Sequence, residues 1–226
     1  MARMVPDAGT GNPATGAQTD SALANAIPAL LITGLCDAAK FRFLDALMLQ
    51  RPATERWAVM TPGLTPDRSI RPIAASGVEF ATIPVACMCC TGLLPFRVGL
   101  IRLLRRMADA PANRLIIIAG REHHAATLVE QLRKPAFKQL LHLQATIAVV
   151  GTATGADMAM GTLTAMRDLC AAADFMAGDP GAGPTDGAGD PLSRVRASLA
   201  VATPMLAGGN RAIAERLGIV PVLPGR

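Results

Sequence analysis

Short apolar runs alternate with amphipathic helical stretches along most of this chain, and that alternation constrains its fold more than any other feature. The clearest run is Arg114-Leu-Ile-Ile-Ile118, β-branched and bounded by Pro111 and Gly120, which reads as a buried strand. Further strands are predicted over residues 28–33, closed by Gly34, and over 57–60, 78–86 and 145–150, the last closed by Gly151. Helices are predicted between them. In residues 38–50 the apolar Phe41, Leu44, Leu47 and Met48 recur at three and four, and Pro52 stops the helix. A second helix opens on Pro95. It carries Leu100, Ile101, Leu103 and Leu104 as an apolar stripe and sets Arg97, Arg102, Arg105 and Arg106 on a solvated face. Helices at 125–133, 163–173 and 211–217 complete the series, and the apolar segment 219–223 has no obvious place in it. Strands alternating with helices predict an α/β fold with a mainly parallel sheet and helices on both faces.

The chain has 226 residues, 51 % of them hydrophobic and 17 % charged, enough for a sizeable core. A single domain is expected over 27–226, with a flexible leader at 1–26 and a long Gly/Pro loop at 177–191. The leader has no apolar stretch of signal-peptide type, and no run of 18 apolar residues occurs, so no membrane segment is expected. Aromatic residues make up 3 %, with no Tyr and one Trp, which disfavours base-stacking nucleic-acid modules. The net charge of +5 is diffuse. Five cysteines, three of them within four residues, suit a metal or redox site in a reducing cytoplasm better than a secreted disulfide scaffold.

Two motifs carry chemistry. Gly34-Leu-Cys-Asp-Ala-Ala-Lys40-Phe41 joins a predicted strand to a predicted helix, as does the phosphate loop G-x-x-x-x-G-K-[ST]. Gly34 and Lys40 are in register. The second glycine is replaced by Ala39, the hydroxyl residue by Phe41, and Asp37 stands inside the cradle. The second motif is Cys87-Met88-Cys89-Cys90. Three clustered thiolates suit a thiophilic ion such as Zn(II) or Cu(I) and leave one coordination position open. Burial as small apolar residues and thiol redox exchange through Cys87 and Cys90 are the competing readings.

In this order, on an α/β chain, the motifs resemble the CobW branch of the CobW/HypB/UreG P-loop GTPases. The most specific stretch is Cys87-Met-Cys-Cys-Thr-Gly-Leu-Leu-Pro-Phe, which is similar to the family's G-C-x-C-C-T block and the helix after it. Residues 30–47 resemble I-T-G-F-L-G-A-G-K-T-T-L-L-N-A-L, and residues 115–124 resemble L-I-E-P-S-G-L-G-H-P. The likeness spans about 27 to 180. It implies a P-loop domain, GTP and magnesium as ligands, a role in metal insertion or metal homeostasis, and a smaller C-terminal domain, which is expected to be missing here.

The departures change what the resemblance implies. The family's acid in E-x-x-G is Ile117 here. The N-E-F-G segment corresponds to Pro62-Gly63-Leu64-Thr65, and the guanine-reading N-K-x-D falls near Asp179-Pro-Gly-Ala182. A carboxylate at position 37, about 5 Å from a phosphate charge, costs on the order of 3 kcal/mol at an effective dielectric near 20. Micromolar nucleotide binding is worth only roughly 8 kcal/mol. Tight binding of Mg·GTP and its hydrolysis are therefore expected to be lost, with Lys40 paired to Asp37 or Asp45 instead. The expected ligand is zinc, on Cys87, Cys89 and Cys90, with Cys36 as a candidate fourth ligand. His123 and His124 are expected as a partly exposed pair at a helix start, with metal ligation by neutral imidazole as the alternative, and Cys170 is expected in the core. A metal-acceptor protein or an intact CobW-family relative is the expected partner. A slow or atypical GTPase, or a purely interacting module, are the alternatives.

Overall fold

A computed structural model describes residues 26–63, 77–83, 93–107, 112–120, 124–151, 160–181, 195–206 apart from 198, and 210–219. The strands are β1 (Ile27–Thr33), β2 (Trp57–Pro62), β3 (Val78–Ile83), β4 (Arg114–Ile118), β5 (Leu141–Val150) and β6 (Phe175–Gly178). The helices are α1 (Asp37–Met48), α2 (Leu93–Arg106), α3 (Ala125–Leu132), α4 (Pro135–Lys138), α5 (Met160–Ala171) and α6 (Asn210–Arg216). The strands form one sheet in the order β3-β2-β4-β1-β5-β6, every pairing parallel. Parallel strands need crossovers, and the intervening helices supply them.

The alternation of side chains along the strands divides the core between the two faces. Leu30, Ile32, Ile116, Ile118, Ile147 and Val149 pack on one face with α1 and α6. Ala29, Leu31, Ala58, Met60, Leu115 and Ile117 pack on the other, beneath α2, α3 and α4. On that same side Ala148, Val150 and Met176 lie against α5. Strands covered on both faces read as continuous apolar runs, which is why β1 and β4 were legible.

Several features differ from the sequence reading, among them the short helix α4, which it did not include. The strand β5 begins at Leu141, before the apolar run at 145–150, because residues 141–144 alternate between buried and solvated positions. The four-residue β6 falls below what periodicity detects. The helix α2 starts two residues before Pro95, which still lies in the first turn, where its missing N–H costs nothing. Of the segment 219–223, only Ile219 lies among the described residues, buried in the first cluster. The leader, up to residue 25, lies outside them, as does most of the 177–191 loop.

Candidate functional site

All six strands run the same way, so their carboxyl ends gather along one edge. Thr33, Ile118, Val150 and Gly178 end four adjacent strands there. In open α/β sheets this edge is where ligands bind. Gly34 follows β1 with φ +151°, and a Cβ on it would lie 2.5 Å from the Val149 carbonyl oxygen, so only glycine fits. Cys36 takes the N-cap position of α1 in an extended conformation, without a side-chain cap, and its carbonyl accepts from the Lys40 N–H at 3.2 Å.

Lys40 is fully buried. Its Nζ lies 2.7 Å from Asp37 Oδ1 and donates to the carbonyl of Ala119, just past β4. Asp37 is the first residue of α1, where the helix dipole favours negative charge. The ammonium that a phosphate loop directs at its ligand is here directed at the chain's own carboxylate. Asp37, one of the two partners the sequence offered for Lys40, makes an ion pair with it. Phe41, at the hydroxyl position, is 2 % exposed within the first apolar cluster, and Ile117, at the acid position, is buried in the second. Neither offers an oxygen to a magnesium ion.

One relationship was not anticipated. Arg42 Nε lies 2.8 Å from Asp179 Oδ1 and Arg42 Nη2 lies 2.5 Å from Oδ2, a bidentate pair joining α1 to the end of β6. The Asp179 side chain is almost entirely buried, and its Oδ1 also accepts from the Gly181 N–H at 3.0 Å. Chiefly through the Arg42 hydrogen bonds, the Asp179 carboxyl is held below its ordinary range, while Arg42 is raised by the same contact. The signal in the sequence was an Arg where phosphate loops carry a second small residue, but its partner follows a strand too short to recognise.

A cleft of about 590 Å³ opens beside the loop, lined by Thr33, Gly34, Gly120, His124, Thr127 and Asp168 among others, between α3 and α5. His124 is exposed at the start of α3, as expected. His123 lies outside the described residues. Cys36 is exposed, and Cys170 is buried in α5, where loss of solvation pushes its thiol up to about 11. Cys87, Cys89 and Cys90 also lie outside the described residues. Among the described residues, no three His, Cys, Asp or Glu side chains come together as a metal site. No described helix is long and apolar enough to cross a membrane.

An all-parallel sheet with a glycine-lysine loop between its central strand and the following helix defines an α/β fold of the P-loop NTPase type. The chain belongs to the CobW/HypB/UreG family: residues 28–177 match its nucleotide-binding domain. It is 30 % identical over 149 residues to the zinc chaperone YeiR of Escherichia coli K12, an alignment covering 65 % of this chain and 44 % of that protein. The crystal structure of the Zn(II)-bound YjiA GTPase from E. coli superimposes with a TM-score of 0.57 and 17 % identity, covering 81 % of this chain and 57 % of that one. The chain thus spans about half the length of these relatives.

Proposed function

We propose that this protein handles zinc through Cys87, Cys89 and Cys90 as a metallochaperone or metal-homeostasis regulator, and does so without tight binding of Mg·GTP. One observation carries the nucleotide half of this reading. The Lys40 ammonium is buried and neutralised by Asp37 at 2.7 Å, so a phosphate has to displace an internal carboxylate to reach it. The oxygen ligands that magnesium requires are absent from positions 41 and 117, and phosphoryl transfer depends on that ion for positioning and charge neutralisation. Gly34 keeps the shape of the loop, but not its affinity.

The zinc half is supported by the clustered cysteines and by the likeness to a zinc chaperone. Thiolates bind zinc strongly and exchange it between thiols, which suits transfer to an acceptor protein in a reducing cytoplasm. The deciding experiment combines zinc titration with a fluorescent GTP analogue, on the wild type and on the Cys87→Ser/Cys89→Ser/Cys90→Ser variant. Stoichiometric zinc binding by the wild type alone, with no saturable nucleotide binding at millimolar concentration, is expected. Equal zinc binding by both proteins would falsify the metal assignment. Saturable, magnesium-dependent nucleotide binding restores the slow-GTPase reading.

A further inference from the structure

We propose that the outer face of α2 is a docking surface for an acidic helical segment of a partner protein. Between Glu79 and Asp109 the chain carries four arginines and no acidic residue, and all four lie on α2. The inner face of the helix is committed to the core. Phe96, Leu100 and Leu103 are completely buried, and Gly99 brings the helix close to Met60 of β2. The end of the helix is anchored as well, with Arg106 Nε 2.8 Å from Glu79 Oε1 and Nη2 3.0 Å from the Phe80 carbonyl.

The remaining residues form a patch. At about 100° per residue, Leu94, Val98, Ile101 and Arg105 fall in one narrow sector, flanked by Arg97 and Arg102. Leu94 is 70 % exposed and Val98 37 %, two of the three large apolar side chains exposed among the described residues. Arg97, Arg102 and Arg105 are exposed around them. An apolar centre ringed by guanidinium groups is complementary to a helix with apolar residues at three- and four-residue spacing and carboxylates beside them. Guanidinium pairs with carboxylate in a two-pronged geometry that a lysine face lacks.

The observations favour a protein over the other polyanions. A membrane-surface helix inserts a whole apolar face, whereas the principal apolar face of α2 is already buried in the domain. Single-stranded RNA requires stacking platforms, and the exposed face of α2 has no aromatic side chain. In the sequence Cys90 precedes Leu93, the first residue of α2, by three positions. That the docked partner accepts metal rests on the zinc reading above, while the docking itself rests on charge and exposure alone.

The test uses the full chain and a fluorescein-labelled helical peptide with Leu at three- and four-residue spacing and Glu between, read by anisotropy. A peptide with Gln for Glu, phosphatidylserine vesicles and a single-stranded RNA oligonucleotide are run in parallel. Saturable binding of the acidic peptide is expected, weakened by added salt and absent for the Gln peptide. The Arg102→Gln/Arg105→Gln variant should weaken it about ten-fold, and Leu94→Ser should weaken it several-fold, with unchanged circular dichroism. The charge-reversed Arg102→Glu/Arg105→Glu variant should instead prefer a Lys-substituted peptide. Equal binding of the acidic and Gln peptides, wild-type affinity in the variants, or binding of vesicles or RNA alone overturns the proposal. Zinc content is measured on the same samples. Lost docking with zinc retained condemns only the surface, and zinc absent from the wild type condemns only the metal reading.

Discussion

Lys40 Nζ and Asp37 Oδ1 are 2.7 Å apart across the first turn of α1, and the lysine side chain has no exposed surface. A buried ammonium is tolerated only when partnered, and Asp37 supplies the opposite charge for Lys40. Asp37→Ala removes the opposite charge from the buried ammonium and should cost about 2–4 kcal/mol in urea unfolding, since loss of one member of a buried pair is severe. The Asp37→Ala/Lys40→Met double variant removes both charges and should recover most of that loss. Additive single costs would contradict the pairing.

The Arg42–Asp179 bridge makes a prediction about pH. The folded Asp179 carboxyl titrates below its unfolded value near 4, so the pair contributes stability above that value. The contribution is lost as pH falls from about 4 through the lower folded value. Asp179→Asn should therefore destabilise the protein by about 2 kcal/mol at neutral pH and much less at pH 2. A deficit that stays constant across this range rules the linkage out.

Cys36 and Cys170 should differ sharply towards iodoacetamide at pH 8. Cys36 is exposed, while Cys170 is enclosed and its thiol is pushed up to about 11, which leaves little thiolate. Peptide mapping of the native protein should find Cys36 alkylated and Cys170 intact until denaturant is added. Prompt labelling of Cys170 would mean that α5 opens readily.

Gly34 tests the backbone of the loop. Its φ of +151° and a Cβ position 2.5 Å from the Val149 carbonyl leave no room for alanine. Gly34→Ala should lower stability by about 2 kcal/mol or more, whether or not nucleotide is present. Gly161→Ala, on α5 with open space around it, should be neutral or mildly stabilising in the same thermal melt.

Legibility in the sequence followed how local each determinant was. The strand β4 was found at its observed limits because five consecutive buried positions select apolar side chains without a break. The course of α1 was legible from apolar residues recurring at three and four, although burial extends around most of the helix. Even the turn of Lys40 towards a neighbouring acid was foreseeable, since Asp37 lies one helical turn away. The Arg42–Asp179 pair was not, because its members are 137 positions apart and meet only when β6 joins the sheet beside β5.

By itself the sequence determined the alternation of strands and helices, the family resemblance, and the loss of the phosphate loop's hydroxyl and second glycine. It also determined that α2 carries only positive charge. Tertiary structure decided the strand order, the burial of Lys40, the bridge from α1 to β6, and which face of α2 remains in solvent. The physical reason is range. Periodicity and turn chemistry act within a few residues, whereas strand order and burial depend on which distant surfaces exclude water together.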